Sequence, residues 1–330
     1  MTAPNNRLGP ILLQPRLDSR LWGGDRLGPW MGLASAPSQL AEAWLVYEEN
    51  QIRDGRFAGR TLGEVARELG PELVGGRSFQ LSGAEFPLLA KLIDARERLS
   101  IQVHPDDAFA HQHEAATGFH GKTEAWYILG EDPDRDVFLG FERDVSEGEV
   151  RAGAADGTLE RLLRRLPVSS GQTVFVPART VHGINAGTLL FEIQQKSDLT
   201  YRLYDYGRRG PDGKLRPLHL EKGLAVAQLT PPPAQPVPSP GAARWSTVLV
   251  SCPFFALERW EVVGKIATAT DPSSFEILVP ITGPVELRSA AGRVTLGRGD
   301  AAVLPAALGD YELASGAPGQ LLRAFVPTGG

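Results

Sequence analysis

The stretch from Leu99 to Leu129 reads LSIQVHPDDAFAHQHEAATGFHGKTEAWYIL and carries the densest set of candidate functional side chains in this sequence. It begins with a run typical of a β-strand, Leu99–His104, which a proline ends. Because successive side chains of a strand point to opposite faces, Ser100, Gln102 and His104 share one face. The pattern predicts a polar strand face that carries a hydroxyl, an amide and an imidazole.

Two further strands supply candidates of the same kind. Glu124–Leu129 is a second β-type run that begins with a carboxylate, and Lys122 precedes it by two residues. A third run, Gly171–Pro177, is followed by His182. Two imidazoles, a carboxylate and an amide oxygen can bind a divalent metal and leave positions open for a substrate. The candidate ligands are Gln102, His104, Glu124 and His182.

The segment around His182 follows a known barrel signature. The second sequence motif of cupin barrels is G-x5-P-x-G-x2-H-x3-N, and here it reads Gly171-x5-Pro177-x-Arg179-x2-His182-x2-Asn185. Arginine stands where glycine is usual, and the asparagine comes one residue early. Since neither departure removes the histidine, the segment resembles a cupin motif whose histidine reaches the barrel interior.

Six motifs occur in one order along the chain: RLWGGD (20–25), FPLLAKLIDA (86–95), QVHPDD (102–107), GKTEAWYIL (121–129), VPARTVH (176–182) and EIQQKSDLTYRLYDY (192–206). In this set and order the chain resembles the type I phosphomannose isomerases, in their short bacterial subclass, which belong to the cupin superfamily. The resemblance covers roughly residues 10–229. It implies a mainly β fold of two cupin-like β-barrels (jelly rolls, hence a bicupin), with a few short helices inserted in the first half.

The resemblance also implies roles for individual side chains. The implied ligands of one Zn²⁺ per chain, or of another divalent metal, are Gln102, His104, Glu124 and His182. Of these, Gln102 is the ligand that a water molecule can replace. The implied substrate-binding residues are Lys91, Ser100, Lys122 and Arg202. The implied catalytic residues are Arg202, Lys122 and Glu192.

Some of these positions also have a purely structural interpretation. A lysine within the apolar run Phe86–Ile93 costs free energy to bury without a partner. Lys91 therefore either snorkels to solvent from an edge strand or serves an anion site. Arg202 can equally be the ion-pair partner of a nearby aspartate. The residue that moves the substrate proton is left between Glu192 and Lys122, since a lysine must lose its own proton before it acts as a base.

Helices are predicted at two places away from these strands. Thr61 and Glu64 form a capping box in front of an apolar repeat, which predicts a supporting helix that ends at a Gly-Pro pair. The insertion Ser146–Leu166 is predicted to hold two helical pieces. The second piece carries its leucines, between 159 and 166, on one face.

A third short helix is predicted inside the central stretch, capped by Asp106 or Asp107. It contains an H-x-H pair, His111 and His113, which competes with Gln102 and His104 as a metal site. On a helix, residues two apart diverge by about 200°, so the pair cannot share a metal.

The domain organisation follows from composition. Residues 1–229 are predicted to form a catalytic cupin domain, and 230–241 a stiff proline-rich linker with six prolines. Residues 242–330 alternate short β-runs with turns, and the chain has no histidine beyond 219. We therefore expect a degenerate second barrel without metal ligands.

Composition limits the possible partners and the compartment. The 330 residues have a net charge of −5 and no basic block, so nucleic acid is not expected as a partner. No apolar run is long enough to span a bilayer, and the N-terminal ten residues lack the features of a secretory signal. The single cysteine, Cys252, fits a reducing compartment, so we expect a cytoplasmic protein. The oligomeric state, monomer or dimer, is left open.

The predicted function is a metal-dependent aldose–ketose isomerase that interconverts mannose 6-phosphate and fructose 6-phosphate through an enediolate. One alternative is a catalytically silent cupin that binds a sugar or sugar phosphate. Another is an isomerase of a different aldose or aldose phosphate. A non-haem iron oxygenase is less consistent with Gln102 and with the lysines and arginine near the ligands.

Overall fold

The computed structural model describes residues 8–130, 135–210 and 212–329. Residues 1–7, which make up most of the segment inspected for a secretory signal, lie outside this part. The helices are α1 (Leu27–Trp30), α2 (Leu62–Leu69), α3 (Pro71–Val74), α4 (Gly76–Ser82), α5 (Asp107–His113), α6 (Glu147–Asp156) and α7 (Leu220–Val226). In the described residues, no helix combines the length and apolar character needed to cross a membrane.

Strands dominate the described chain, which confirms the predicted mainly β fold. In the first part of the chain they are β1 (Ile11–Leu12), β2 (Arg16–Gly24), β3 (Leu40–Val46), β4 (Leu88–Ala95), β5 (Ile101–Val103), β6 (Glu124–Ile128), β7 (Arg135–Phe141), β8 (Leu163–Val168), β9 (Thr173–Val176), β10 (His182–Ile184), β11 (Thr188–Gln195) and β12 (Tyr201–Tyr204). Those that follow are β13 (Ser239–Pro240), β14 (Ser246–Ser251), β15 (Ala256–Ala269), β16 (Glu276–Pro280), β17 (Val285–Ser289), β18 (Gly292–Leu296), β19 (Ala302–Leu304) and β20 (Asp310–Phe325).

Two antiparallel sheets form the first barrel. One has the order β2-β3-β4-β11-β6-β9 and the other the order β12-β5-β10-β7-β8. They pack face to face, because one apolar core cluster contains Trp126 and Leu190 from the first sheet together with Leu139 and Ile184 from the second. The polar side chains of the candidate site lie between the same two sheets, on strands β4, β5, β6, β10 and β11.

The second barrel is built on a nine-stranded sheet of order β1-β19-β16-β20-β15-β14-β13, with β17 and β18 attached. Its first strand comes from the N-terminal end of the chain, since Ile11 and Leu12 pair with Val303 and Ala302. A large apolar cluster also joins the two halves, and in it Phe86 and Phe275 lie with their ring centroids 4.4 Å apart. The two barrels therefore share an apolar core cluster where they meet.

The predicted helix starts are confirmed. Thr61 and Glu64 form both hydrogen bonds of the capping box at α2. At α5 the side chain of Asp106 accepts a hydrogen bond from the backbone N–H of Phe109, at 2.9 Å. These local interactions satisfy N–H groups that have no partner within the helix.

The second helical piece predicted in the Ser146–Leu166 insertion is wrong. The chain makes a short 3₁₀ turn at Leu159–Leu162 and continues as strand β8. Leu166 is the antiparallel partner of Val137 on β7. Pairing with the edge of β7 gives hydrogen-bond partners to the backbone N–H and C=O groups of Leu163–Val168. This tertiary interaction outweighs the helical spacing of the leucines.

The proline-rich segment lies against the first barrel. The backbone N–H of Phe175 donates to the side-chain oxygen of Gln235 at 2.7 Å, and the Gln235 amide donates to the Phe175 carbonyl at 3.0 Å. The side chain of Gln235 thus continues the edge of β9 as a neighbouring strand would.

We expect Phe275→Ala to lower the free energy of unfolding by about 3–5 kcal/mol, because Phe275 is fully buried in the shared core. Urea unfolding followed by intrinsic fluorescence measures the change. The matched control is Phe79→Ala, since Phe79 is 40% exposed. Equal losses in the two variants would contradict the shared core.

Candidate metal centre and active site

Three side chains from three strands converge inside the first barrel. His104 directly follows β5, Glu124 begins β6 and His182 begins β10. All three are buried, and one ligand atom from each lies within 4.8 Å of the others. The sequence separates these residues by up to 78 positions, and the two facing sheets bring them together.

Each imidazole is oriented by its second nitrogen. The Nδ1 of His104 lies 2.8 Å from the carbonyl oxygen of Leu199, and the Nδ1 of His182 lies 2.8 Å from that of Thr180. The Nε2 atoms consequently face Glu124, at 3.5 Å from His104 and 3.4 Å from His182. Backbone carbonyls commonly orient metal-binding histidines in this way.

The protonation states are those that a metal requires. Burial, followed by the positive charge of Lys122, lowers the pKa of His104 to about 3. Burial also lowers the pKa of His182. Burial alone would raise the pKa of Glu124, but Lys122 and His104 outweigh it and hold that pKa well below its usual range. Two neutral imidazoles and one carboxylate are ready to bind a cation without losing protons.

The contacts of the triad fit a divalent metal. The Nε2 of His182 is buried and has no hydrogen-bond partner within the described part of the chain. The ammonium of Lys122 lies 2.8 Å from an oxygen of Glu124 and 3.1 Å from the Nε2 of His104. A positive charge therefore already sits against two of the three ligand atoms, and two nitrogens with one carboxylate form a suitable donor set.

Gln102 lies beside the triad by strand register. On β5 it is the direct antiparallel partner of His182 on β10 and of Arg202 on β12. Directly paired residues present their side chains to the same face of a sheet. The half-buried Gln102 thus stands between a triad histidine and the predicted catalytic arginine.

A second row of charges crosses the other sheet. Trp126, Glu192, Lys91 and Trp44 are successive partners on β6, β11, β4 and β3. The ammonium of Lys91 lies 3.2 Å from Glu192 and 3.5 Å from Glu42, and the Trp126 N–H donates to Glu192 at 3.0 Å. The ammonium of Lys122 lies 3.8 Å from the same Glu192 carboxylate and links this row to the triad.

The row resolves the two interpretations of Lys91. β4 lies between β3 and β11, so it is not an edge strand, and Lys91 is only 6% exposed. Burial opposes its charge, but Glu192 and Glu42 outweigh this and raise the pKa of Lys91. Burial and the charge of Glu124 raise the pKa of Glu192. Lys91 is thus a buried cation held between two carboxylates, and the snorkelling alternative is wrong.

These side chains open into a pocket of about 520 Å³. Its lining includes the predicted residues Lys91, Ser100, Gln102, Lys122, Glu192 and Arg202. The lining does not include the triad residues His104, Glu124 and His182. Lys122, which lines the pocket, contacts His104 and Glu124 and so connects the triad to it. The lining also includes ionisable residues that sequence reasoning did not place in the site, namely Arg20, Glu42, Glu114, Asp198, Arg216, His219 and Lys222. Of these, Arg20 and Asp198 lie in two of the quoted motifs, RLWGGD and EIQQKSDLTYRLYDY, whereas the others carry no local signal.

Within the described part of the chain, Arg202 forms no ion pair with a neighbouring aspartate. The neighbouring Asp205 pairs with Arg208 and Arg216 instead. The Nε of Arg202 is buried without a hydrogen-bond partner among the described residues. A guanidinium that lines the pocket with a free donor is available to an anionic ligand.

The H-x-H pair takes no part in this centre. His111 and His113 lie on α5, as predicted, and His113 packs against the ring of Phe109 at 4.3 Å between centroids. His111 instead contacts His120. The predicted exclusion of a shared His111–His113 metal is consistent with this helix geometry.

Known proteins share this sequence and architecture. A family model for the catalytic domain of type I phosphomannose isomerases matches residues 11–128, and one for the cupin domain of mannose-6-phosphate isomerases matches residues 246–326. The mannose-6-phosphate isomerase ManA of Bacillus subtilis is 34% identical over 310 residues, which cover 92% of this chain and 95% of that protein. The mannose-6-phosphate isomerase of Streptococcus mutans is 33% identical over 301 residues, covering 90% and 92%.

The structural comparison agrees. A crystal structure of the mannose 6-phosphate isomerase from Bacillus subtilis is similar with a TM-score of 0.86 at 32% identity, and the match covers 96% of this chain and 99% of that one. The likeness extends over both halves, which confirms the predicted pair of cupin-like barrels. The chain belongs to the type I phosphomannose isomerase family.

Proposed function

We propose that this protein is a metal-dependent isomerase that interconverts mannose 6-phosphate and fructose 6-phosphate by proton transfer through an enediolate. The observation that carries the proposal is the buried His104–Glu124–His182 triad, joined through Lys122 to a pocket lined by Glu192 and Arg202. A silent sugar-binding cupin would gain nothing from burying carboxylates and lysines next to a metal-ready triad, because such burial costs free energy.

The proposed metal is Zn²⁺, with His104, Glu124 and His182 as ligands and Gln102 as the fourth. Neutral imidazoles and a carboxylate suit this ion, and the position of Gln102 beside His182 supports an amide oxygen as a further donor. When bound, the metal would polarise the oxygens at C1 and C2 of the sugar and stabilise negative charge on them. The other steps fall to side chains of the pocket.

Glu192 is the proposed base. Its carboxylate would take the proton from C2 of the aldose and return it to C1, while a second proton passes from the C2 hydroxyl to the C1 oxygen. Burial next to Glu124 raises the pKa of Glu192, which improves a carboxylate as a proton acceptor. The ammonium of Lys122 lies 2.8 Å from an oxygen of Glu124. We therefore assign Lys122 to positioning the sugar oxygens and not to removing the C2 proton.

Arg202 is proposed to stabilise the enediolate or the phosphate. Its guanidinium lines the pocket, and its Nε has no partner among the described residues. Lys91 and Ser100 complete the proposed substrate-binding set. Because the charge of Lys91 is already balanced by Glu42 and Glu192, we expect Arg202 to contribute more to anion affinity than Lys91.

We also propose that the protein acts in the cytoplasm on a small phosphorylated sugar. The single cysteine, Cys252, is buried and free, which suits a reducing compartment.

Chelator treatment is expected to abolish the turnover of mannose 6-phosphate to fructose 6-phosphate, and added Zn²⁺ is expected to restore it. A coupled assay of fructose 6-phosphate measures both steps. Metal-loaded protein without turnover on this substrate would overturn the isomerase proposal and favour a silent sugar-binding cupin.

Glu124→Gln is expected to weaken the binding of the first equivalent of Zn²⁺ by more than about 100-fold, because it removes the one anionic ligand of the triad. Calorimetric titration of the stripped protein measures the affinity. His113→Gln is the control, since His113 lies on the exposed side of α5. Unchanged affinity in Glu124→Gln would remove Glu124 from the ligand set.

Glu192→Gln is expected to lower kcat by about 10²–10⁴-fold, since it deletes the proposed base and nearly preserves its shape. It should also abolish the exchange of substrate hydrogen with deuterated solvent. The control is Glu72→Gln, at an exposed carboxylate on α3. If the Glu192→Gln variant still exchanged substrate hydrogen with solvent, Lys122 would be the base instead of Glu192.

Arg202→Ala is expected to lower kcat/KM for the phosphorylated sugar by at least about tenfold, because it removes a charge-assisted contact. Steady-state kinetics measure the effect, with Arg161→Ala, an exposed arginine, as the matched control. Normal turnover in Arg202→Ala would refute the role assigned to this residue.

A further inference from the structure

A second group of side chains with metal-ligand chemistry lies outside the active site. Asp107, His111 and His120 each offer one ligand atom, and these atoms lie within 4.8 Å of one another. Asp107 and His111 are four residues apart on α5, so they share a face of that helix. His120 lies on the loop that leads from α5 to β6. The H-x-H motif drew attention to His113, but the fold pairs His111 with a residue nine positions away.

The contacts within the group point the ligand atoms at one another. The Nε2 of His111 lies 2.9 Å from the Nδ1 of His120. The Oδ1 of Asp107 accepts hydrogen bonds from the backbone N–H of Gly121 at 2.8 Å and from the Gln195 amide at 2.9 Å. These bonds fix the carboxylate beside the two imidazoles.

A further carboxylate supports His120 from behind. The Nε2 of His120 lies 3.3 Å from Glu85, whose carboxylate also binds the ammonium of Lys196 at 3.0 Å. Burial opposes ionisation of Glu85, but Lys196 outweighs it and lowers the pKa of Glu85. A charged carboxylate on the remote nitrogen of a histidine is the usual support of a metal-binding imidazole.

The group lines a pocket of its own, of about 160 Å³, at the junction of the two halves. Pro253, Phe254 and Val326 contribute its apolar wall from the second barrel. Ser78, on α4, also lines it, and its hydroxyl oxygen is fully buried without a hydrogen-bond partner among the described residues. The pocket thus has a polar side that includes Asp107, His111 and His120, and an apolar wall from the second barrel.

We propose that Asp107, His111 and His120 form a second divalent-metal site, distinct from the catalytic centre, that takes Zn²⁺ or a similar transition ion. Two imidazole nitrogens and one carboxylate suit such ions better than Mg²⁺ or Ca²⁺, which prefer oxygen ligands. Two nitrogens bound to tetrahedral Zn²⁺ lie about 3.3 Å apart, so the His111–His120 pair needs to open only slightly. A water molecule would complete the coordination.

The second site lies next to the chain segment that carries residues of the active site. The segment between its ligands connects His104 to Lys122 and Glu124, and the Gly121 N–H is bound to Asp107 itself. An ion bound there would tie α5 to the start of β6 and would stabilise the native state over the unfolded chain. The proposal concerns metal binding alone and holds whether or not the isomerase assignment is correct.

The test is a calorimetric titration of chelator-stripped protein with Zn²⁺, with the bound metal counted after gel filtration. We expect two equivalents for the natural sequence, two for His113→Gln, and one each for His111→Gln and Glu124→Gln. The equivalent that Glu124→Gln retains should disappear when His111→Gln is added. Glu85→Gln should keep two equivalents and weaken the second by about 10–100-fold.

Two results would overturn the proposal. One is a single equivalent for the natural sequence at a large excess of Zn²⁺. The other is a second equivalent that persists unchanged in both His111→Gln and His120→Gln, because that ion would then be bound elsewhere. Circular dichroism of each variant checks that the fold is retained, so that a lost equivalent is not due to unfolding.

Discussion

The burial of four charged side chains, with a fifth largely buried, between two sheets is the constraint on which the candidate site depends. Glu42, Glu124 and Glu192 carry three negative charges, and Lys91 and Lys122 carry two positive ones. Each charge is costly to bury alone, so the groups alternate in sign and lie 2.8–3.8 Å from their partners. The balance leaves one excess negative charge beside two neutral imidazoles. In the proposed function, a divalent cation would therefore enter a site with an excess negative charge, and an anionic sugar phosphate would meet the remaining cations of the pocket.

Strand register positions most of these side chains, and Lys122 and His104 lie just outside strand ends. Gln102, His182 and Arg202 lie in one row across three strands, and Trp126, Glu192 and Lys91 lie in another across the opposite sheet. Because side chains alternate with a period of two, a slip of one residue would turn a whole row away from the pocket. The backbone hydrogen bonds of the sheets thus keep the side chains of both rows directed at the pocket.

The two barrels have similar architecture but differ in how their buried carboxylates are paired. In the second barrel, Arg323 binds Glu276 at 2.7 Å and Glu258 at 3.1 Å, and the Tyr311 hydroxyl donates to Glu276. An arginine thus balances the buried carboxylates there, whereas in the first barrel the Nε2 of His182 has no hydrogen-bond partner among the described residues. The second barrel contributes packing instead, through the core around Phe275 and the pairing of β1 with β19.

The sequence by itself predicted the mainly β fold, the strands that carry Gln102 and Glu124, the joining of His104 and His182 to them in one candidate ligand set, and helix caps at Thr61 and at Asp106 or Asp107. The strands and caps depend on short-range patterns, namely period-two alternation and capping residues, whereas the fold class depends on the order of the six motifs and on the family resemblance that they carry. Only the tertiary structure decided that Leu163–Val168 is a strand, that Lys91 is ion-paired inside the barrel, and that His111 meets His120 rather than His113. Each of these outcomes depends on a partner distant in sequence, whose proximity the chain acquires only when the sheets pair and the two barrels pack.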